Sequence, residues 1–215
     1  MTHLNPNDFV ISRKRKKYKF ALFANSPLCF ELEEWKKRKV DVIELGAGTA
    51  LFSVELATRH PEATFVAIDV KADRLQKGAL EAEKRKLENI WFVRTRADLL
   101  HEVVPAKSLK KLWITFPDPF PRERSERRRM THPYFLRQYE ELLRSDGEIL
   151  LKHDNREFFD WSIEQFKKEN WTILEESNDL QNSDLNDDYK IMTTYEIKWL
   201  GEGLKTNFVR TRNTK

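Results

Sequence analysis

One aspartate is held between prolines in Phe116-Pro117-Asp118-Pro119-Phe120-Pro121, and the chain then runs straight into Arg122-Glu123-Arg124-Ser125-Glu126-Arg127-Arg128-Arg129. Five guanidinium groups beside one fixed carboxylate suit a site where an anionic polymer is gripped while Asp118 addresses a particular group on it. Three further acids stand where an α/β sheet meets its ligands: Glu44 in Glu44-Leu45-Gly46-Ala47-Gly48, Asp69, and Asp98 in Arg96-Ala97-Asp98. Gly46 and Gly48 permit a tight turn and close backbone approach to a ligand, although a glycine pair alone often serves only strand-to-helix packing.

Glu44 sharpens that reading. A carboxylate at this position repels a dinucleotide's pyrophosphate but attracts a ligand that carries an ammonium and a sulfonium. The dinucleotide fingerprint also requires glycine where this chain has Leu51. S-adenosylmethionine therefore fits better than a nicotinamide cofactor. Asp69 follows the glycines by about 20 residues, the spacing at which an acid accepts ribose hydroxyls, and Asp98 can accept from the exocyclic amine of adenine. Singly, each is an ordinary cap or turn residue. Ending three successive strands, the three acids read as one cofactor site.

The elements that must position these groups are legible as apolar runs at 40–45, 64–69, 90–95, 111–116 and 148–153, which read as buried parallel strands. Helical spacing occupies 51–60, 73–86, 133–144 and 155–170. Thr131 is the expected cap of the third helix, Pro133 lies in its first turn, and Asp146-Gly147 is its expected stop. Alternation of this kind predicts a doubly wound α/β sheet with right-handed crossovers. Two closing strands, at least one antiparallel, are predicted over 171–176 and 193–200, with a flexible Asn/Asp-rich loop at 178–188 between them.

A chain of 215 residues with 40% apolar side chains can bury one good-sized core. The single Cys29 permits no internal disulfide, no paired cysteine or histidine spacing offers a metal site, and a reducing cytoplasmic setting is expected. No apolar run is long enough for a membrane span. Charge is gathered rather than spread. Residues 13–19 hold six basic side chains and no acid, 122–129 net +3 and 204–215 net +4, which leaves the other 188 residues at −9 within a total of +4. Three basic patches on an acidic body suit phosphate neutralisation and disfavour a small-molecule acceptor. Either terminal patch alone could be a solvated tail, whereas the arginine block is internal.

Taken in order, Glu44-x-Gly46-x-Gly48, Asp69, Ala97-Asp98, the Phe116–Pro121 segment with its arginines, Asp154, and Thr193-Thr194-Tyr195-Glu196 resemble the motifs of the tRNA (guanine-N7)-methyltransferases. The similarity extends from about residue 18 to 200, and the proline-flanked aspartate is its most specific part. The resemblance implies a Rossmann-like class I methyltransferase fold with a seven-stranded, mostly parallel sheet, an antiparallel closing strand and helices on both faces. It further implies S-adenosylmethionine as donor and a guanine of the tRNA variable loop as acceptor, and the chain is expected to divide into a basic extension over 1–35 and a methyltransferase domain over 36–215 with a basic C-terminal tail. By motif position Glu44, Gly46, Gly48, Asp69, Asp98 and Asp118 correspond to cofactor-binding residues, with Asp118 also catalytic. Arg122, Asp154, Thr193, Thr194, Tyr195 and Glu196 correspond to substrate-binding residues, and Arg124, Ser125, Glu126, Arg127, Arg128 and Arg129 to the RNA-contacting segment. No metal or membrane partner is implied, and either a monomer or a homodimer is compatible with the chain. Ala50, Phe120, Arg122 and Ser125 depart from the usual glycine, tryptophan, lysine and histidine; Arg122 keeps its charge with a different donor geometry.

The chemistry is consistent with those residue types. Guanine N7 attacks through an in-plane lone pair and has no proton to lose, so positioning matters more than a strong base. A carboxylate that accepts from the Watson–Crick edge stabilises the positive charge developing on the base, and Asp118, Asp154 and Glu196 are the candidates. The rival classes are an NAD-linked oxidoreductase, disfavoured by Glu44 and Leu51, and a non-catalytic RNA-binding protein, disfavoured by the complete set of acids. His153, adjacent to Asp154 on a strand, points to the opposite face and reads as structural.

Overall fold

A computed structural model describes residues 5, 7, 14–200 and 203–213. Its sheet is built from β1 (Cys29–Glu31), β2 (Val42–Leu45), β3 (Phe65–Asp69), β4 (Ile90–Arg94), β5 (Leu109–Thr115), β6 (Leu143–His153), β7 (Trp171–Ser177) and β8 (Asn207–Asn213). The strand order is β1-β4-β3-β2-β5-β6-β8-β7. All pairings from β1 to β6 are parallel, and β8 lies antiparallel between β6 and β7. Strands buried on both faces carry near-continuous apolar runs, which is why β2 to β6 were readable. Every residue of β2 is buried, Glu44 included.

Helices α1 (Lys14–Asn25), α2 (Leu51–Arg59) and α3 (Ala72–Lys84) cover one face, and α5 (Pro133–Leu142) and α6 (Arg156–Lys168) the other; α4 (Leu100–Val103) and α7 (Thr194–Leu200) are short. In α3 the buried positions Leu75, Ala79 and Ala82 recur at helical spacing. Asn155 caps α6 by accepting from Phe158 N–H at 2.7 Å. The cap of α5 is His132, whose ring accepts from Tyr134 N–H, while Thr131 is buried and bonded to Ser162. That helix stops at Leu142, and Asp146-Gly147 lies inside β6 instead of ending it.

Four further expectations are revised. The sheet has eight strands, not seven, because the three-residue β1 adds an edge beside β4. Residues 193–200 form no strand: Thr193 Oγ1 accepts from Glu196 N–H at 3.1 Å while Glu196 Oε2 accepts from Thr193 N–H at 2.8 Å, a capping box that starts α7. The antiparallel closing strand is β8, drawn from what reads as a basic tail. Arg210 bonds Glu148 and Glu175 at 2.7 and 2.6 Å, and Arg212 bonds Glu148 at 2.7 Å, so cross-strand acids neutralise that patch. Finally, 14–31 is not an appended extension: α1 packs on α3 with Ala21 and Phe23 buried, and β1 joins the sheet. Residues 1–4, 6 and 8–13 of that segment lie outside the described residues.

The 178–188 segment leads into the core, since Leu180, Tyr189 and Ile191 are buried. Tyr189 stacks on Phe208 with ring centroids 4.7 Å apart, and both rings meet Trp113 of β5. Phe208 is fully buried. Truncating it in Phe208→Ala is predicted to cost about 3–5 kcal/mol in urea unfolding. A loss below about 1 kcal/mol, the range of a surface change, would mean that β8 is not docked as described.

Candidate active site at the strand tips

Chain order reverses between β2 and β5, and a crevice opens past their carboxyl ends. Two cavities of about 450 and 180 Å³ meet there, sharing Gly46, Arg74 and Phe116. Asp69, Thr95, Ala97, Asp118 and Met130 wall the smaller one. Gly48, Thr49, Thr115, Thr194 and Tyr195 line the larger.

The turn after β2 is fixed from β3. Gly46 and Gly48 take φ of 72° and 55°, and a Cβ on Gly46 would lie 3.3 Å from Met130 Cε. Asp69 Oδ2 accepts from Gly48 N–H at 2.9 Å and Oδ1 from Lys71 N–H at 2.8 Å. Ala50 holds φ 54°, a left-handed conformation that costs a residue with a side chain about 1 kcal/mol. Its methyl group and the Phe92 ring leave room for α3 only because position 78 is glycine; a Cβ there would meet Phe92 Cε1 at 2.7 Å.

Glu44 sits beneath this turn, 2% exposed. Its Oε2 accepts from Ser53 Oγ at 2.5 Å and its Oε1 from Thr115 Oγ1 at 2.7 Å. Burial pushes its pKa up to about 7 despite those two hydroxyls. Glu44 therefore reaches the larger cavity through Thr115, which lines it. Asp98 is gripped by Arg96 at 2.9 and 2.6 Å, and its neighbours Thr95 and Ala97, rather than Asp98 itself, line the crevice.

The segment that carries Asp118 is held by hydrogen bonds to its backbone. Phe116 N–H donates to Lys152 O, and His153 Nε2–H donates to Pro117 O, both at 2.9 Å. His153 Nδ1 accepts from Asn155 N–H at 2.8 Å, so the ring proton lies on Nε2. Burial lowers the His153 pKa, the ring is neutral, and its 3.2 Å approach to Asp154 is not an ion pair. Arg129 donates to Pro119 O and Phe120 O at 3.0 and 3.1 Å and lies over the Trp161 ring. Phe116 and Phe120 have φ of 48° and 41°, so left-handed backbone brackets the motif on both sides. Asp118 itself is exposed and has no hydrogen-bond or ion-pair partner among the described residues.

The arginine block divides accordingly. Arg122, Arg124, Arg127 and Arg128 are exposed along a 3₁₀ turn spanning Glu123–Arg128, with Arg128 over the Phe120 ring. Ser125 N–H closes that turn on Arg122 O. Arg129 faces inward with Glu126 3.3 Å away, and these two brace the loop.

Glu196 is likewise turned inward. Its Oε2 accepts from Lys152 Nζ at 2.8 Å in addition to Thr193 N–H, and its Oε1 accepts from Thr206 Oγ1 at 3.2 Å. Both oxygens are committed inside the core, which leaves it no edge for a substrate. Lys152 is wholly buried, also donates to Ile191 O at 2.8 Å, and has its pKa lowered by burial. A lysine inside the apolar run Ile149-Leu150-Leu151-Lys152 was the available signal for this pair. Thr193, Thr194 and Tyr195 face the larger cavity. Tyr195 OH donates to Asp154 Oδ2 at 3.0 Å and its ring lies 5.0 Å from Phe116.

Residues 38–208 match a family model described as "Putative methyltransferase". A tRNA (guanine-N(7)-)-methyltransferase of Mycoplasmopsis agalactiae is 34% identical over 168 residues, 78% of this chain and 81% of that relative. One from Brevibacillus brevis is 31% identical over 188 residues, covering 86% and 87%. The chain belongs to the tRNA (guanine-N7)-methyltransferase family. Solved structures share the fold at low identity. The 16S rRNA methyltransferase KamB superposes with a TM-score of 0.60 at 14% identity, over 84% of this chain and 90% of that one. A SAM-dependent methyltransferase from Aquifex aeolicus gives 0.55 at 11%, over 81% and 82%.

The methyl donor of this methyltransferase family is S-adenosylmethionine, and the crevice fits it. The Gly48 backbone is open, since a Cβ there would meet nothing within 4 Å. Asp69, partly exposed at the β3 tip, suits ribose hydroxyls. Thr95 Oγ1 is buried without a hydrogen-bond partner among the described residues, at the wall of the smaller cavity. Ile68, Ala97 and Met130 supply apolar surface for a purine beside it. Among the described residues no group of three His, Cys, Asp or Glu is placed to hold a metal ion, and no helix is long and apolar enough to cross a membrane.

Two predictions follow from the buried charges of this methyltransferase. Because the Glu44 pKa is raised, the stability of its neutral form is present at low pH and lost as pH rises from about 4.5 through about 7. Glu44→Gln should match the wild type near pH 4 and exceed it by roughly 3 kcal/mol at pH 8; parallel stability curves would contradict the raised pKa. Lys152→Met leaves Glu196 buried and unpaired and should cost about 3–5 kcal/mol, most of it recovered in Lys152→Met/Glu196→Leu. A double variant no more stable than the single would show that charge burial is not the cause.

Proposed function

We propose that this protein transfers the methyl group of S-adenosylmethionine to N7 of a guanine in the variable loop of cytoplasmic tRNA, with Asp118 as the residue that meets the base. When bound, the donor supplies an electrophilic methyl group on a sulfonium. Gly46, Gly48 and Asp69 hold and orient it, Glu44 supports that floor from below through Thr115, and Asp98 lies near the purine end. N7 needs no proton removed, so the protein's task is to align the base and to stabilise the charge it gains.

The observation that carries this reading is the free carboxylate of Asp118. Of three candidates for the base edge, Glu196 is bonded within the core and Asp154 has one oxygen taken by Tyr195. Asp118 alone among them lines the crevice with both oxygens free of partners among the described residues. A carboxylate that accepts from the imino and amino edge of guanine binds the methylated, positively charged base more strongly than the neutral one. That differential stabilises the transition state rather than the ground state. Arg122 follows directly, and Arg124, Arg127 and Arg128 are exposed to meet phosphates as the strand leaves the site. Thr193, Thr194, Tyr195 and Asp154 form the opposite wall.

The test is one assay: unmodified tRNA, labelled S-adenosylmethionine and the protein are incubated, the RNA is digested, and the labelled nucleoside is identified. The label should reside in 7-methylguanosine from the variable loop. Asp118→Ala should lower kcat about 10²–10³-fold with its melting temperature unchanged. Label in another nucleoside overturns the acceptor, and wild-type turnover by the variant removes Asp118 from the mechanism.

A further inference from the structure

The two halves of the crevice differ in charge. Around the smaller cavity Asp69 and Asp118 are balanced by Lys71 and Arg74, whereas Lys19 from α1, Arg74 and Lys77 from α3 and Lys198 from α7 face the larger. Asp73 is the one acid among the residues lining that larger half. None of the four cations has an ion-pair partner among the described residues, and Lys198 rests over the Trp199 ring, 4.5 Å from its centroid. Three separate elements thus direct four cations into one cavity against a single acid. Such convergence is unlike a solvated helix face, where basic side chains alternate with acids.

We propose that this basic half is a phosphodiester-binding subsite, which holds the RNA backbone beside the target nucleoside on the side opposite the exposed arginines. The inference rests on the tRNA reading above. An oxyanion is the ligand chemistry that four converging cations select, and two sources exist: an RNA phosphate or the carboxylate of the methyl donor. The charge balance favours RNA. The donor carries a sulfonium and an ammonium against one carboxylate, so it is a net cation and gains little from four more cations around it. A polyanion gains from each one. Lys19 gives docked α1 a place in the site, and Thr49 Oγ1 bonded to Thr194 Oγ1 at 2.7 Å joins the walls on which Lys77 and Lys198 stand.

The test uses the full-length protein with Lys77 and Lys198, both exposed and on different elements, changed together to Gln. Affinity for S-adenosylmethionine is measured calorimetrically without RNA, and affinity for unmodified tRNA is measured across salt concentrations. Donor affinity should stay within about twofold, tRNA affinity should fall roughly tenfold, and the slope of log affinity against log salt should shrink by about 1.4–1.8. Lys77→Arg/Lys198→Arg should restore the slope. Weakened donor binding with tRNA affinity intact would assign the cations to the donor's carboxylate and overturn the proposal. Unchanged values for both, or losses that arginine does not restore, would overturn it as well. A wild-type protein that forms no 7-methylguanosine would instead sink the functional reading, so the two failures are distinguishable.

Discussion

A carboxylate kept free for a ligand cannot be positioned by its own side-chain bonds, so the backbone around Asp118 must be fixed from outside. This constraint organises the site. The carbonyl before Asp118 is held by His153, the two after it by Arg129, and the amide of Phe116 by the backbone of Lys152. Prolines at 117 and 119 limit what remains, and left-handed backbone at Phe116 and Phe120 stores a cost of about 1–3 kcal/mol at each. Such strain persists only where neighbours over-determine it, and here they do.

The same neighbours connect the motif to the sheet. His153 and Lys152 are consecutive on β6, and their side chains point to opposite faces. One braces the Asp118 loop. The other anchors Glu196 and, through the capping box, the start of α7, which brings Thr194 and Tyr195 to the crevice wall. Burying Lys152 with Glu196 is costly without these extra bonds, and Ile191 O, Thr193 N–H and Thr206 Oγ1 supply them. Asp69 performs the comparable service for the donor side by pinning the Gly48 turn.

Much of this was legible in the residues. Strands β2 to β6 announce themselves as apolar runs because both faces are buried, and Asp118 stands out because proline on each side has no other local purpose. What stayed hidden depends on partners distant in sequence. Arg210 and Arg212 resemble a basic tail until Glu148, more than sixty residues away, is set across the strand. Tyr195 and Trp199 resemble alternating strand residues, although Thr193-x-x-Glu196 was already a helix-start signature. Glu196 and Arg129 carry the residue types of a substrate site, yet both are consumed by the scaffold. A motif identifies which residues matter and leaves open which way each side chain turns.

The account stands on Asp118 meeting the base. The most direct measurement is a crystal structure of the protein with S-adenosylhomocysteine and a tRNA substrate. Asp118 oxygens are expected within about 2.6–3.2 Å of the imino and amino groups of the target guanine. A target guanine whose edge is held by other residues, with Asp118 still facing solvent, would contradict it.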